Sequence, residues 1–120
     1  MVSENLPFVG TYQATQHDRV LDALGDPTRR AIVAALRRGP CSVAGLTAHV
    51  PVSRPAISQH LKVLGAAGLV DHEARGTRHI YRIERDGFAP LREWLDQFWG
   101  DALDAYADHV RRTEADRRQP

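Results

Sequence analysis

The 120-residue sequence predicts a mainly α-helical domain with one β-hairpin (α+β), in the order α-α-α-α-β-β-α, which is the winged helix-turn-helix pattern. Three observations support this fold class. Residues that favour helix starts stand at Asp26, Ser42 and Ser53, a glycine at position 76 separates two extended runs, and a long amphipathic stretch begins at Phe88. No apolar run approaches the ~20 residues that span a bilayer. We therefore expect one cytoplasmic domain without membrane contact.

The chain divides into three stretches of different pattern. Residues 1–13 show little periodicity and no signal-peptide pattern, and we expect them to form a flexible arm. Residues 14–113 carry the periodic segments and form the predicted folded domain, and residues 114–120 form a charged tail. The only cysteine, Cys41, cannot make an intramolecular disulfide, which fits a reducing compartment.

The first two helices are delimited by clear start and stop signals. Val20, Leu21 and Leu24 fall on one face of the first helix, which a glycine then ends. Asp26 is a favourable N-cap for the second helix, with Pro27 at its first position. A Gly-Pro pair at positions 39–40 stops this second helix.

Two shorter helices follow, each with a serine cap. Ser42 can cap the third helix, and Ser53 can cap the fourth, which has a proline in its first turn. In the fourth helix Ile57, Leu61 and Leu64 recur at the spacing of one helical face, so we expect that face to be buried.

A hairpin and a long helix complete the domain. The runs 69–74 and 79–83 are predicted strands, joined by a tight turn at Gly76. The last helix is predicted from Phe88 to about Thr113.

The face of the fourth helix opposite its apolar stripe carries side chains that suit nucleic acid. Arginine pairs well with guanine, glutamine with adenine, and serine serves either base. The N-cap also leaves backbone N–H groups and a positive dipole end that suit a phosphate. The predicted DNA contacts on this helix are Ser53, Arg54, Pro55, Ser58, Gln59 and Lys62. His60 lies at the boundary of the buried face, where we expect a structural role.

The hairpin tip is the second predicted DNA contact. Arg75, Thr77 and Arg78 surround Gly76, and two guanidiniums on a projecting loop suit the phosphate backbone or the minor groove. Taken alone, the same tip could be a solvated turn. Charge supports the first interpretation, because residues 25–82 hold nine basic against three acidic side chains (+6), whereas residues 83–110 hold two against seven (−5).

Three runs resemble the ArsR/SmtB family of bacterial transcriptional regulators. The segment that leads into the family's second helix is similar to DALGDPTRRAIVAAL (Asp22–Leu36). The family's recognition helix is similar to SRPAISQHLKVLGAAGLV (Ser53–Val70), and its wing is similar to ARGTRHIYRI (Ala74–Ile83). The similarity covers most of the chain, roughly residues 20–110. It implies a repressor that binds double-stranded operator DNA as a homodimer, with the first and last helices paired across a two-fold axis. It also implies release by a signal, which the sequence does not identify.

The residues of the last helix agree with a dimer. Its aromatic surface is large for a lone C-terminal helix on a small domain, and exposed stripes of this kind usually mark an interface. The alternative is that the stripe packs entirely on its own domain. The predicted interface residues are Val20, Leu21, Leu24, Leu91, Trp94, Leu95, Phe98, Trp99, Leu103 and Tyr106.

The ligands of metal-sensing relatives are missing from the places where the resemblance implies them. The third-helix stretch SVAGLTAHV has no cysteine, and Cys41 stands alone ahead of it. The last helix offers Asp101, Asp104, Asp108 and a single histidine, His109, so a site would need both subunits. Because these ligands are missing, we predict no bound metal and no other cofactor. We also predict no enzymatic activity, because no phosphate loop or nucleophile elbow is present. The alternative function is a protein-binding winged-helix adaptor that does not bind DNA.

Overall fold

The computed structural model describes residues 15–118, and the predicted arm over residues 1–13 lies outside this part. Its helices are α1 Gln16–Ala23, α2 Pro27–Leu36, α3 Val43–Leu46, α4 Arg54–Ala66 and α5 Ala89–Arg118. Its strands are β1 Cys41–Ser42, β2 Val70–Arg75 and β3 Arg78–Ile83, with a 3₁₀ turn over Arg85–Phe88. The winged helix-turn-helix order predicted from the sequence is confirmed, with β1 as an addition.

Side-chain caps start the first four helices. The predicted caps are confirmed: Asp26 accepts from the Arg29 N–H at 3.0 Å, and Ser42 and Ser53 cap α3 and α4 in the same way. Thr15 adds a capping box at the start of α1. Each cap satisfies a backbone N–H that has no partner inside its helix.

The wing, formed by β2, β3 and the turn between them, belongs to a three-stranded antiparallel sheet with the order β1-β3-β2. In β1, Cys41 pairs with Tyr81 and Ser42 pairs with Ile80. Because Ser42 also caps α3, this short strand ties the start of the helix-turn-helix to the wing. A strand of two residues has no alternation to detect, which is why the sequence did not predict it.

The core lies between α1–α4 and the start of β2. Its fully buried side chains include Ile32, Leu46, Ile57, Leu61, Leu64 and Leu69. Val20 is also completely buried in this core. The prediction that Val20 forms part of a dimer interface is therefore wrong, because its side chain has no surface left for a partner.

The end of α4 is held tightly against the entry to α5. Leu69 N–H donates to the Leu64 carbonyl and Gly68 N–H to the Gly65 carbonyl, which is the Schellman arrangement, with Gly68 at φ +80°. Gly87 lies so close to this turn that a Cβ added to it would overlap the Gly68 carbonyl oxygen. The contact sets where α5 leaves the domain.

Two arginines of the basic region 25–82 donate hydrogen bonds to backbone carbonyls of their own chain. Arg29 Nε donates to the Ala23 carbonyl at 2.6 Å, and Arg30 Nη1 donates to the Leu24 carbonyl at 2.7 Å. These carbonyls lie at the end of α1, where cations are favourable. Arg29 and Arg30 therefore stabilise the α1–α2 turn.

Helix α5 continues to Arg118, beyond the predicted end at Thr113, so the first part of the predicted charged tail is helical. Glu114 pairs with Arg117 and Arg118 one turn later, and arginines in the last turn suit the helix dipole. Near its start, α5 packs on α1, where the Trp94 and His17 rings stack at 5.4 Å. Within residues 15–118, each helix is either too short or too polar to span a lipid bilayer.

His60, for which we predicted a structural role, lies beside the cap of α2. His60 is half-buried, and its Nδ1 lies 4.0 Å from Oδ2 of Asp26, the α2 cap. The hydrogen bond from the Arg29 N–H is the main cause that holds the Asp26 pKa below its ordinary value, and the charges of Arg29 and His60 act in the same direction. Ionised Asp26 thus stabilises the fold, and this contribution is lost as the pH falls through its lowered pKa.

We expect Asp26→Asn to lower Tm at pH 7. Asparagine still caps the helix but carries no charge, so the favourable charge interactions of Asp26 are lost. The difference from the wild type should close as the pH falls below the ordinary aspartate pKa of about 3.9. Thermal melts of both proteins between pH 3 and pH 7 measure this. A difference that is the same at pH 3 and pH 7 would contradict a charge effect.

Candidate nucleic-acid interface

Helix α4 presents its predicted contact face to solvent. The apolar side chains Ile57, Leu61 and Leu64 are buried, which turns the opposite face outward. All six polar-face residues are exposed: Ser53, Arg54, Pro55, Ser58, Gln59 and Lys62. Nothing in the described part of the chain covers them, so the whole face is available to a macromolecule.

A groove of about 470 Å³ runs between the start of α4 and the wing. We call it the wing groove. It brings the predicted contacts Arg54 and Ser58 of α4 together with Thr77 and Arg78 of the wing. The remaining lining residues are Ser42, Val43, Ala44, His79 and Tyr81. The lining includes no carboxylate, so the charge of the groove is positive.

The cations around this surface differ in their partners. Arg75 Nε lies 3.3 Å from the Glu73 carboxylate, and Arg82 bridges Asp71 and Glu73 across the strands. Within residues 15–118, Arg54 and Arg78 make no ion pair. The two predicted wing arginines are thus unequal: Arg78 lines the groove without a counter-ion, whereas Arg75 lies beside a carboxylate.

The backbone N–H groups at the start of α4 are less available than the sequence suggested. Ser53 Oγ accepts from the Ala56 N–H, and Pro55 has no N–H to donate. In the first turn the Arg54 N–H is left for an outside acceptor, as judged from residues 15–118. The groups that this end of α4 offers to an outside anion are therefore mainly side chains.

The structure brings together two histidines of the wing that lie on different strands. His72 and His79 stack at a ring-centroid distance of 4.9 Å, and His72 lies equally close to Tyr81. The hairpin register, in which His72 pairs with Tyr81 and Ala74 with His79, puts all three rings on one face. Only the register of the hairpin could have revealed this cluster, which borders the wing groove.

Helix α5 presents an exposed aromatic face. Phe98 is 52% exposed, Trp99 57% and Tyr106 66%, and each ring is large enough to anchor an interface. Leu21, Trp94, Leu95 and Leu103 are exposed as well. Leu24 and Leu91 are only partly buried against the core, and Leu91 lines a groove together with Leu95 and Trp99. We call Leu95, Phe98, Trp99, Leu103 and Tyr106 the α5 face.

The candidate metal ligands do not converge in one protomer. Within residues 15–118 we find no group of three or more His, Cys, Asp or Glu side chains that could hold a metal ion. Asp108 of the last helix forms an ion pair with Arg111 of the same helix. Cys41 is half-buried and lies over Gly45, where a Cβ would meet its Sγ.

Comparison with known proteins agrees with this geometry. Residues 26–72, from the α2 cap into the wing, match the family described as bacterial regulatory protein, arsR family. The HTH-type transcriptional regulator Rv2034 of Mycobacterium tuberculosis is 50% identical over 102 residues, which cover 85% of this chain and 94% of the relative.

Two further proteins extend the comparison. The transcriptional repressor SdpR of Bacillus subtilis is 28% identical, with coverage of 68% of this chain and 90% of the repressor. The solution structure of the homodimeric winged helix-turn-helix DNA-binding domain Mb0332 from Mycobacterium bovis superimposes with a TM-score of 0.58 at 28% identity. The match covers 75% of this chain and 83% of that one.

Proposed function

Because the chain belongs to the ArsR family of DNA-binding transcriptional regulators, which are not enzymes, we propose that it is a homodimeric repressor of an inverted-repeat operator. The observation that carries this proposal is the exposed polar face of α4 beside a positive wing groove with no carboxylate in its lining. A protein-binding adaptor would not need cations on both the helix and the wing. We place the protein in the cytoplasm, where its operator is.

The α5 face supports the dimeric form of the proposal. Each protomer leaves the aromatic rings of Phe98, Trp99 and Tyr106 in solvent. A two-fold partner that covers this face would present two copies of α4 to successive major grooves, roughly 34 Å apart. Such an arrangement requires an operator with two inverted half-sites.

The α4 residues divide by their position along the helix. Ser58 and Gln59 are exposed in its first half, where a helix that enters the major groove meets base edges. Lys62 lies about one turn further on and suits a phosphate. Arg78, on the wing, suits the DNA backbone or the minor groove.

Gln59→Ala should change which sequence is preferred, at ~1–3 kcal/mol for a specific base contact. Arg78→Ala should weaken operator and scrambled DNA alike, and lower the salt dependence by about one phosphate per subunit. Titrations of the wild type and both variants on DNA selected by the protein, and on a scrambled duplex, measure both effects at several salt concentrations.

Arg75→Ala is the matched comparison for Arg78→Ala, because both residues flank the same turn. Arg75 already has Glu73 as a partner, so we expect its loss to change the salt dependence less. Should Arg78→Ala leave the salt slope untouched while Gln59→Ala weakens both duplexes equally, the proposed division of contacts is wrong. Absence of DNA binding by the wild type would favour the adaptor.

A further inference from the structure

We propose that the wing groove is a single phosphate-binding site that Arg54 of α4 and Arg78 of the wing share. This inference rests on the proposed function and adds a role for Arg54. The sequence analysis listed Arg54 among the side chains that suit base edges, and we infer that it binds phosphate. The phosphate group can come from the DNA backbone or from a free phosphorylated molecule that would then compete with DNA.

The first argument is the convergence of two separate elements on one space. Arg54 is the first residue of α4, whose start is held by the Ser53 cap. Arg78 is the first residue of β3, and β3 is held by pairing with both β1 and β2. Both side chains line the same groove, although 24 positions separate them in the sequence (78 − 54). The fold, and not a local motif, brings these two cations together.

The second argument is the chemistry of the lining. Guanidinium groups bind phosphate oxygens with two parallel hydrogen bonds, and hydroxyl groups can donate further ones. Ser58, Thr77 and Tyr81, which carry such hydroxyl groups, are among the lining residues. By contrast, the grooves beside α1 and α5 have Asp22, Asp86 or Asp96 among their arginines. The lining of the wing groove has two arginines and no carboxylate, and such a lining favours the binding of an anion.

The third argument is the electrostatics of the two arginines. Two cations that share a groove repel each other, and neither Arg54 nor Arg78 has a counter-ion within residues 15–118. A phosphate group between them would relieve this repulsion and pair both at once. A volume of about 470 Å³ lies within the ~300–1,000 Å³ of small-molecule sites, so the groove can also take a free phosphate compound.

A double-mutant cycle on DNA tests whether the two arginines share a site. Affinities of the wild type, Arg54→Gln, Arg78→Gln and the double variant are measured on selected and scrambled duplexes at several salt concentrations. We expect each single change to weaken both duplexes about tenfold, without a change of base preference. The double variant should lose clearly less than the product of the two losses, because either change disrupts the same phosphate contact.

A second measurement uses inorganic pyrophosphate and the full-length protein without DNA, by calorimetry and by NMR of the Tyr81 and His79 rings. Binding should be lost in Arg54→Gln and in Arg78→Gln. It should be kept in Arg85→Gln, which removes the same charge from an exposed position beyond the opposite end of β3. Far-ultraviolet circular dichroism confirms that each variant is folded.

The two measurements distinguish the sources of the phosphate group. If the losses from the two arginine changes are coupled and pyrophosphate does not bind, the shared site is supported and the DNA backbone supplies its phosphate. If pyrophosphate binds through both arginines and releases DNA, the site also takes a free phosphate compound. An additive cycle in which Arg54→Gln alters base preference overturns the shared site but leaves the proposed function intact. If the protein binds no DNA but binds pyrophosphate through both arginines, the phosphate-site proposal stands and the repressor proposal is wrong.

Discussion

Replacement of Gly87 with alanine is expected to destabilise the domain by about 3 kcal/mol or more, a large part of the ~5–15 kcal/mol that holds a typical domain together. The added Cβ would overlap the Gly68 carbonyl oxygen, and both partners are backbone. Neither can move easily, because Gly68 closes α4 through the Schellman hydrogen bonds and the Glu84 N–H donates to the Leu69 carbonyl at 2.9 Å. Denaturant unfolding measures the loss.

The same substitution at Gly65 is the matched control. Gly65 lies inside α4, and a Cβ there would meet its nearest neighbours at 3.9 Å, an ordinary contact. Gly65→Ala should therefore stabilise the protein by about 0.5–1 kcal/mol through helix propensity. Equal stability of Gly87→Ala and the wild type would show that the α4–α5 junction is looser than described. A folded Gly87→Ala protein with altered dimerisation would instead show that the junction directs α5.

Truncation of Trp99 to alanine is expected to raise the dissociation constant of the proposed dimer about thirtyfold or more, which corresponds to about 2 kcal/mol at an interface hot spot. Trp99 is 57% exposed in the protomer, and its ring packs edge-on against Phe98, so most of its surface is available to a partner. Sedimentation over a range of concentrations measures the constant, and the wild-type dimer should have a mass near twice 13.4 kDa.

Val63→Ala is the control for this experiment. Val63 is an exposed apolar residue on α4 that lines a groove beside α1 and does not belong to the α5 face, so its truncation should change the dissociation constant much less than Trp99→Ala does. Weaker dimerisation through Trp99→Ala should also weaken operator binding, since both half-sites are needed. A wild-type protein that remains a monomer at every concentration would reject the dimer, and an unchanged constant in Trp99→Ala would move the interface away from the α5 face.

Local signals in the sequence determined most of the elements and their orientation. Asp26, Ser42 and Ser53 specify helix starts because each side chain satisfies a nearby backbone N–H, a requirement that is met within three residues. The spacing of Ile57, Leu61 and Leu64 alone decides which face of α4 is buried, and hence which face is polar and exposed. These interactions are short in sequence, so one chain without relatives was enough to predict them.

Tertiary structure alone decided which distant residues meet. The pairing of β1 with β3, the stacking of His72 on His79 and the meeting of Arg54 with Arg78 in the wing groove all depend on contacts between separate elements. Packing also removed Val20 from the predicted interface. The physical reason is that periodicity shows which side of an element is apolar, but only the docked elements show whether that side faces the domain's own core or a partner.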